Sequence, residues 1–160
     1  EMCIRDRSNA MSNPLKATKF GLPFRHVPTY LAGYYKYKAG DQFTEGGKPV
    51  NGKRDICDIY AIMYETSESV PTLDGTNAFT SPNLISTARI NNAKETNEWT
   101  YFKLPFTTLP GKFIDKEKLM DGKYNIAIVF TSSLEGDHFN GAIGSTLLID
   151  EAELIYHSED

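Results

Sequence analysis

The sequence predicts an all-β domain of sandwich or barrel type, and three observations carry the prediction. Gly, Pro, Asn and Asp punctuate the chain at short intervals, and the runs between them are rich in Tyr, Ile, Phe, Val and Thr, the pattern of strands separated by turns. Nine Tyr, nine Phe and one Trp among 160 residues supply the aromatic content that strands favour. The one helix-like stretch, Asp115 to Met120 with Asp115 as its cap, is too short to form a structural layer. At this length a single core is expected.

In chain order, strands are expected over Leu31 to Lys38, Ile56 to Glu65, Leu84 to Asn91, Glu98 to Thr107, Lys123 to Ser133 and Gly144 to Tyr156. Alternate side chains of a strand face opposite sides, so each run sorts into two faces. In the second run Cys57, Ile59, Ala61 and Met63 form the core face, and Asp58, Tyr60 and Tyr64 fall opposite with Ile56 and Ile62. In the fourth, Phe102, Leu104 and Phe106 take the core phase, which places Trp99, Tyr101 and Lys103 on the other side. In the fifth, Tyr124, Ile126, Ile128 and Phe130 share one phase, while Asn125, Ala127, Val129, Thr131 and Ser133 make a smaller, more polar face. One core holding Cys57, Ile59, Met63, Phe102, Leu104, Phe106, Ile126, Ile128 and Phe130 is therefore expected. In the last run the apolar phase changes from Leu147 and Ile149 to Ala152, Leu154 and Tyr156. A β-bulge near Asp150-Glu151 would reconcile the two; an exposed acidic pair on an edge strand is the alternative.

The net charge is −4, and no Lys/Arg cluster interrupts the chain, so the electrostatic attraction of a nucleic-acid or anionic-membrane binder is missing. A neutral or small ligand fits better. No apolar run approaches the length of a membrane helix, and no signal peptide is visible. Residues 1–10 are set aside as a non-native segment, because Met2 to Arg7 reads like translated adapter DNA and Ser8-Asn9-Ala10 resembles a cloning scar. The charge is unchanged by this, since the segment holds two bases, Arg5 and Arg7, and two acids, Glu1 and Asp6. Residues 11–160 remain as a single domain. Cys3 is discarded with the segment, and Cys57 alone supports neither a disulfide framework nor a Cys-based zinc site.

Several runs follow one another along the chain: Lys19 to Phe24, Gly33-Tyr34-Tyr35-Lys36-Tyr37 with Gly40, Asp55 to Ala61, Leu73-Asp74-Gly75, Ala88-Arg89-Ile90, Trp99 to Phe106, Phe139 to Ser145 and Leu147 to Glu151. Together they resemble the putative carbohydrate metabolism domain family of surface polysaccharide-utilisation proteins in gut bacteria, over roughly Asn13 to the C-terminus. The resemblance implies a jelly-roll sandwich similar to carbohydrate-binding modules and some glycoside hydrolases, a polysaccharide or oligosaccharide partner, and a place at the cell surface or outside the cell. The family domain normally has further strands before Phe20-Gly21. The chain is thus expected to be an N-terminally truncated part of such a domain, whose missing portion would be a further partner.

Sugar binding needs flat aromatic surface for C–H faces and planar polar groups for hydroxyls. Asp58, Tyr60, Arg89, Trp99 and Tyr101 supply both and are the principal candidates, joined by His138 on the glycine-rich stretch Ser132 to Ser145. Asp58 lies in an apolar run and needs a partner, for which Arg89 is the candidate; such a pair serves equally as structure. Trp99 either stacks on sugar or fills the core. Tyr34, Tyr35 and Tyr37 suit a packing ladder as well as a platform. His138 has no second His at zinc spacing, and a structural calcium would draw on Asp150 and Glu151 without EF-hand-like spacing to support it. Catalytic candidates are Asp58, Glu151 and Asp137, but no arrangement singles out a hydrolytic pair. Cys57, on the core face, is no nucleophile. Three readings follow: a non-catalytic binding module, a glycoside hydrolase on the same fold, and a structural or adhesion module whose polar face a partner covers.

Overall fold

Each predicted strand has its counterpart in the computed structural model, which describes residues 3–5, 18–20, 22–74 and 77–156. The long strands are β4 (Pro28–Lys38), β7 (Asp58–Glu65), β9 (Leu84–Arg89), β10 (Thr96–Pro105), β12 (Tyr124–Thr131) and β14 (Thr146–Tyr156). Between them lie short strands: β1 (Cys3–Arg5), β2 (Thr18–Phe20), β3 (Leu22–Phe24), β5 (Phe43–Glu45), β6 (Lys48–Pro49), β8 (Leu73–Asp74), β11 (Thr107–Thr108) and β13 (Gly141–Ala142). The single turn of helix, α1 (Lys116–Met120), begins where Asp115 accepts hydrogen bonds from the backbone N–H groups of Glu117 and Lys118, which satisfies two donors that a helix start leaves unpaired.

Two antiparallel sheets form an all-β sandwich. One runs β11-β9-β7-β12-β3 and the other β10-β4-β14, with small three-stranded sheets β1-β2-β8 and β13-β5-β6 at the periphery. The inner faces meet through Leu31, Tyr35 and Tyr37 of β4 and Phe102 and Leu104 of β10, against Cys57, Ile59 and Ala61 beside and on β7 and Ala88 of β9. Phe106, Ile128, Leu147, Ile149 and Leu154 pack around this cluster. Burial pushes the Cys57 thiol up to about 11, so it is protonated and inert at neutral pH.

Three expectations about faces are corrected. The even-numbered face of β7 and the Asn125/Ala127/Val129 face of β12 are not solvated: Tyr60, Ile62, Tyr64 and Ala127 are buried beneath Val70, Leu73 and Ala78. The segment joining β7 to β9 folds back over them, and the buried Asn125 side chain donates to the Tyr64 hydroxyl at 3.0 Å. Met63 does not join the central cluster; it packs with Ile85, Leu119 and Tyr124 under α1. Phe130 is 36% exposed, because β3 pairs β12 only at residues 124–126 and, among the described residues, no other strand pairs the far end on that side.

The phase change in β14 is a bulge. Pairing with β4 runs regularly to Asp150 opposite Tyr34 and resumes at Glu153 opposite Ala32, so Glu151 and Ala152 together face Gly33. Glu151 takes φ 49°, a left-handed conformation that a non-glycine residue adopts at a cost. Gly33 makes the close approach feasible: a Cβ there would stand 2.9 Å from Phe102 Cζ and 3.2 Å from Ala152 Cα. No helix among the described residues is long and apolar enough to cross a membrane.

Two outcomes test this packing. Gly33→Ala should lower the unfolding free energy by about 1–3 kcal/mol, since backbone at the bulge cannot yield as a side chain can, whereas Glu151→Gly should leave stability unchanged or raise it; urea titration measures both. The second concerns Glu95, which accepts from both Arg54 and the Ala39 backbone N–H; Arg54 first and that amide second hold its carboxyl down at about 2 against a usual 4.5. A depressed acid stabilises the fold above its unfolded value, so this contribution is lost as pH falls from 4.5 through about 2. The stability difference between the unmodified chain and Glu95→Gln should shrink across that acid window, as followed by circular dichroism.

Candidate functional site

The predicted site residues divide between opposite outer faces of the sandwich. Because Phe102 and Leu104 of β10 point inward, Trp99, Tyr101 and Lys103 point outward from the three-stranded sheet. Trp99 is 44% and Tyr101 52% exposed. Directly opposite Tyr101 on β4 is Tyr34, the two rings 5.3 Å apart and tilted, and opposite Tyr34 on β14 is Asp150. Lys36 Nζ lies 4.8 Å from the Trp99 ring centroid, and Lys103 Nζ lies 4.3 Å from that of Tyr30, so cation–π attraction orients both lysines on this face. Within the described residues no side-chain polar atom of Trp99, Tyr34 or Tyr101 has a hydrogen-bond partner. The platform thus presents aromatic carbon together with an indole N–H and two phenols open to solvent, flanked by lysines and by Asp150. Tyr35 and Tyr37, by contrast, belong to the core, which resolves the three tyrosines by strand phase.

Asp58, Tyr60 and Arg89 sit on the five-stranded sheet, across the sandwich from Trp99 and Tyr101, so these five do not make one face. The expected partnership is present: Arg89 donates from Nε to Asp58 Oδ1 at 3.2 Å and from Nη2 to Asp58 Oδ2 at 2.8 Å. Tyr60 is buried under Phe79, 4.8 Å away ring to ring, and offers no open stacking surface. Phe79 lies 4.5 Å from the Arg89 guanidinium and was not singled out from sequence, since nothing local indicates that its segment returns over β7.

The glycine-rich stretch forms the rim. His138 is exposed on a short 3-10 turn, Gly136–His138, followed by Phe139 at φ 59°. The Asp137 side chain lies outside the described residues. Leu134 at the base of the stretch lines a cleft with Asp58 and Arg89, so the rim meets the Asp58 side of the molecule. What holds the rim is Asp55: its Oδ2 accepts from Ser133 Oγ and Ser145 Oγ, each at 2.6 Å, and from the Ala142 backbone N–H at 3.0 Å. Asp55 is buried. Sequence reasoning missed Asp55 because no serine lies near it and its donors are remote in sequence. Asp150 accepts from the Glu151 backbone N–H at 2.8 Å, and among the described residues no group of three or more His, Cys, Asp or Glu gathers for a metal ion.

Because a buried donor left unpaired costs about 1–3 kcal/mol, Asp55→Ala should destabilise the fold by at least that much. It should also speed amide hydrogen exchange at Ala142 ahead of global unfolding.

Solved structures similar to this chain include the following two. One is described as a putative glycoside hydrolase from Bacteroides thetaiotaomicron VPI-5482, 88% identical, with a TM-score of 0.95 over 97% of this chain and 46% of that one. The other is described as a putative glycoside hydrolase from Bacteroides vulgatus ATCC 8482, 46% identical, with a TM-score of 0.91 over 96% of this chain and 62% of that one. The chain spans about half the length of the first and less than two thirds of the second. No curated protein matches it. The family model described as the putative carbohydrate metabolism domain matches residues 5–155, and this chain belongs to that family.

Proposed function

We propose that the domain binds carbohydrate without cleaving it and helps hold polysaccharide at the cell surface. The observation that most supports this is the outward row of Trp99, Tyr101 and Tyr34 on the three-stranded sheet, whose side-chain polar atoms have no partner among the described residues. Pyranose rings present C–H faces that pack on aromatic carbon, and their hydroxyls both donate and accept. Lys36 and Lys103 supply donors beside the rings, and the carboxylate of Asp150 supplies an acceptor across the sheet. A face of this kind suits a run of sugar residues better than an enclosed small molecule. The surface location rests on the family membership and is part of the proposal.

The description of these two structures as putative glycoside hydrolases supports a second reading, in which the domain contributes to hydrolysis. Asp58 is the weaker catalytic candidate because it is buried and engaged by Arg89; Glu151 is exposed at the bulge beside the platform.

The binding reading predicts that Trp99→Ala and Tyr101→Ala each weaken polysaccharide binding by about 1–3 kcal/mol, with melting temperatures close to that of the unmodified chain because both rings are exposed. Affinity electrophoresis in polysaccharide gels, paired with thermal melts, measures this. Unchanged retention of folded Trp99→Ala would reject the platform, and glycan hydrolysis abolished by Glu151→Gln would replace the module by the enzyme.

A further inference from the structure

On the side of the sandwich away from the aromatic platform, an open cleft of about 370 Å³ lies between Ile56, Arg89, Asn91, Asn92 and Leu134. We infer that this cleft is a second binding site, one that accepts a single neutral sugar residue. The inference extends the carbohydrate-binding reading and rests on it.

The arginine is prearranged. Asp58 takes two of its N–H groups, and Phe79 lies 4.5 Å from the guanidinium carbon. Those contacts fix the side chain in the free protein, so little rotamer freedom is left to lose on binding. The burial of the pair is unequal: the Asp58 side chain is 6% exposed and that of Arg89 42%. The carboxylate thus works from beneath, and the remaining guanidinium N–H groups face outward at the cleft. Asn92, at φ 56°, turns the chain sharply after β9, and both it and Asn91 are exposed beside Arg89. Their amides add acceptors as well as donors. Ile56 and Leu134, 47% and 42% exposed, form apolar walls held together by the Leu134 N–H donating to the Ile56 carbonyl at 2.7 Å.

Charge and size select the ligand class. Asp58 neutralises Arg89, so the cleft carries no net pull on a carboxylate, whereas hydroxyls can use guanidinium and amide groups together. The volume falls at the low end of small-molecule sites, which run from about 300 to 1,000 Å³, enough for one ring and its substituents. The apolar walls suit its C–H face.

The test is NMR titration of the chain with D-glucose, D-galactose and D-mannose, and with D-glucuronate as the charged counterpart, following the Arg89 Nε–Hε signal and the Asn91 and Asn92 side-chain amides. The expected result is saturable shifts with at least one neutral hexose and weaker ones with glucuronate. Asn92→Gly, which keeps the backbone conformation and deletes the amide, should bind that hexose about tenfold less tightly with an unchanged melting temperature. Absence of saturable shifts with all three hexoses, or tighter binding of glucuronate, overturns the inference. The two sites fail separately: no hexose shifts alongside polysaccharide retention that depends on Trp99 rejects the cleft alone, whereas cleft shifts without such retention reject the platform and leave the cleft standing.

Discussion

Seven consecutive residues of β7, Asp58 to Tyr64, are buried, and a strand buried on both faces must be covered twice. Its odd-numbered side is covered by the three-stranded sheet, through Leu31, Tyr35, Phe102 and Leu104, and further along by α1. Its even-numbered side is covered by the segment that carries Val70, Leu73, Ala78 and Phe79. Each buried Ile or Met on this strand contributes roughly 1.5–3 kcal/mol, so the arrangement is strongly specified. Register is fixed as well, because a slip by one residue would exchange the two coverings.

That double burial decides where ligands can reach. The even face of β7 is occupied by the protein's own chain, and its one carboxylate, Asp58, is admitted at the strand's beginning only with Arg89 on the neighbouring strand to satisfy it. The three-stranded sheet, in contrast, is covered on one side alone among the described residues. Its outer face is therefore available, and it carries lysines beside the aromatic rings with acidic residues along β14, a mixture suited to hydroxyl groups that donate and accept. At the rim, Asp55 binds the loop ends that flank β13, giving the turns around His138 a fixed base.

Strand phase made much of this legible from the sequence. The outward placement of Trp99 and Tyr101 followed from Phe102 and Leu104 claiming the inward phase, and the β14 bulge from Leu147 and Ile149 falling out of phase with Leu154. The Asp58–Arg89 pair followed from the cost of an unpaired carboxylate in an apolar run. What sequence phase lacks is any label saying which outer face belongs to which sheet, so Tyr60 and Trp99 looked alike although they stand on opposite sides. It also cannot show a loop folding back: Val70, Leu73 and Ala78 are scattered among Ser, Pro, Thr and Asn, and their covering role exists only once β7 and β12 are paired. Phe130 fails for the complementary reason, since its phase is right but β3 ends before reaching it.

Because Trp99 is the only tryptophan in the chain, its fluorescence reports directly on the platform. Titration of the folded domain with a polysaccharide it retains should shift or quench that emission saturably, with the same midpoint as retention. Retention of the polysaccharide with the Trp99 emission unchanged would contradict the account.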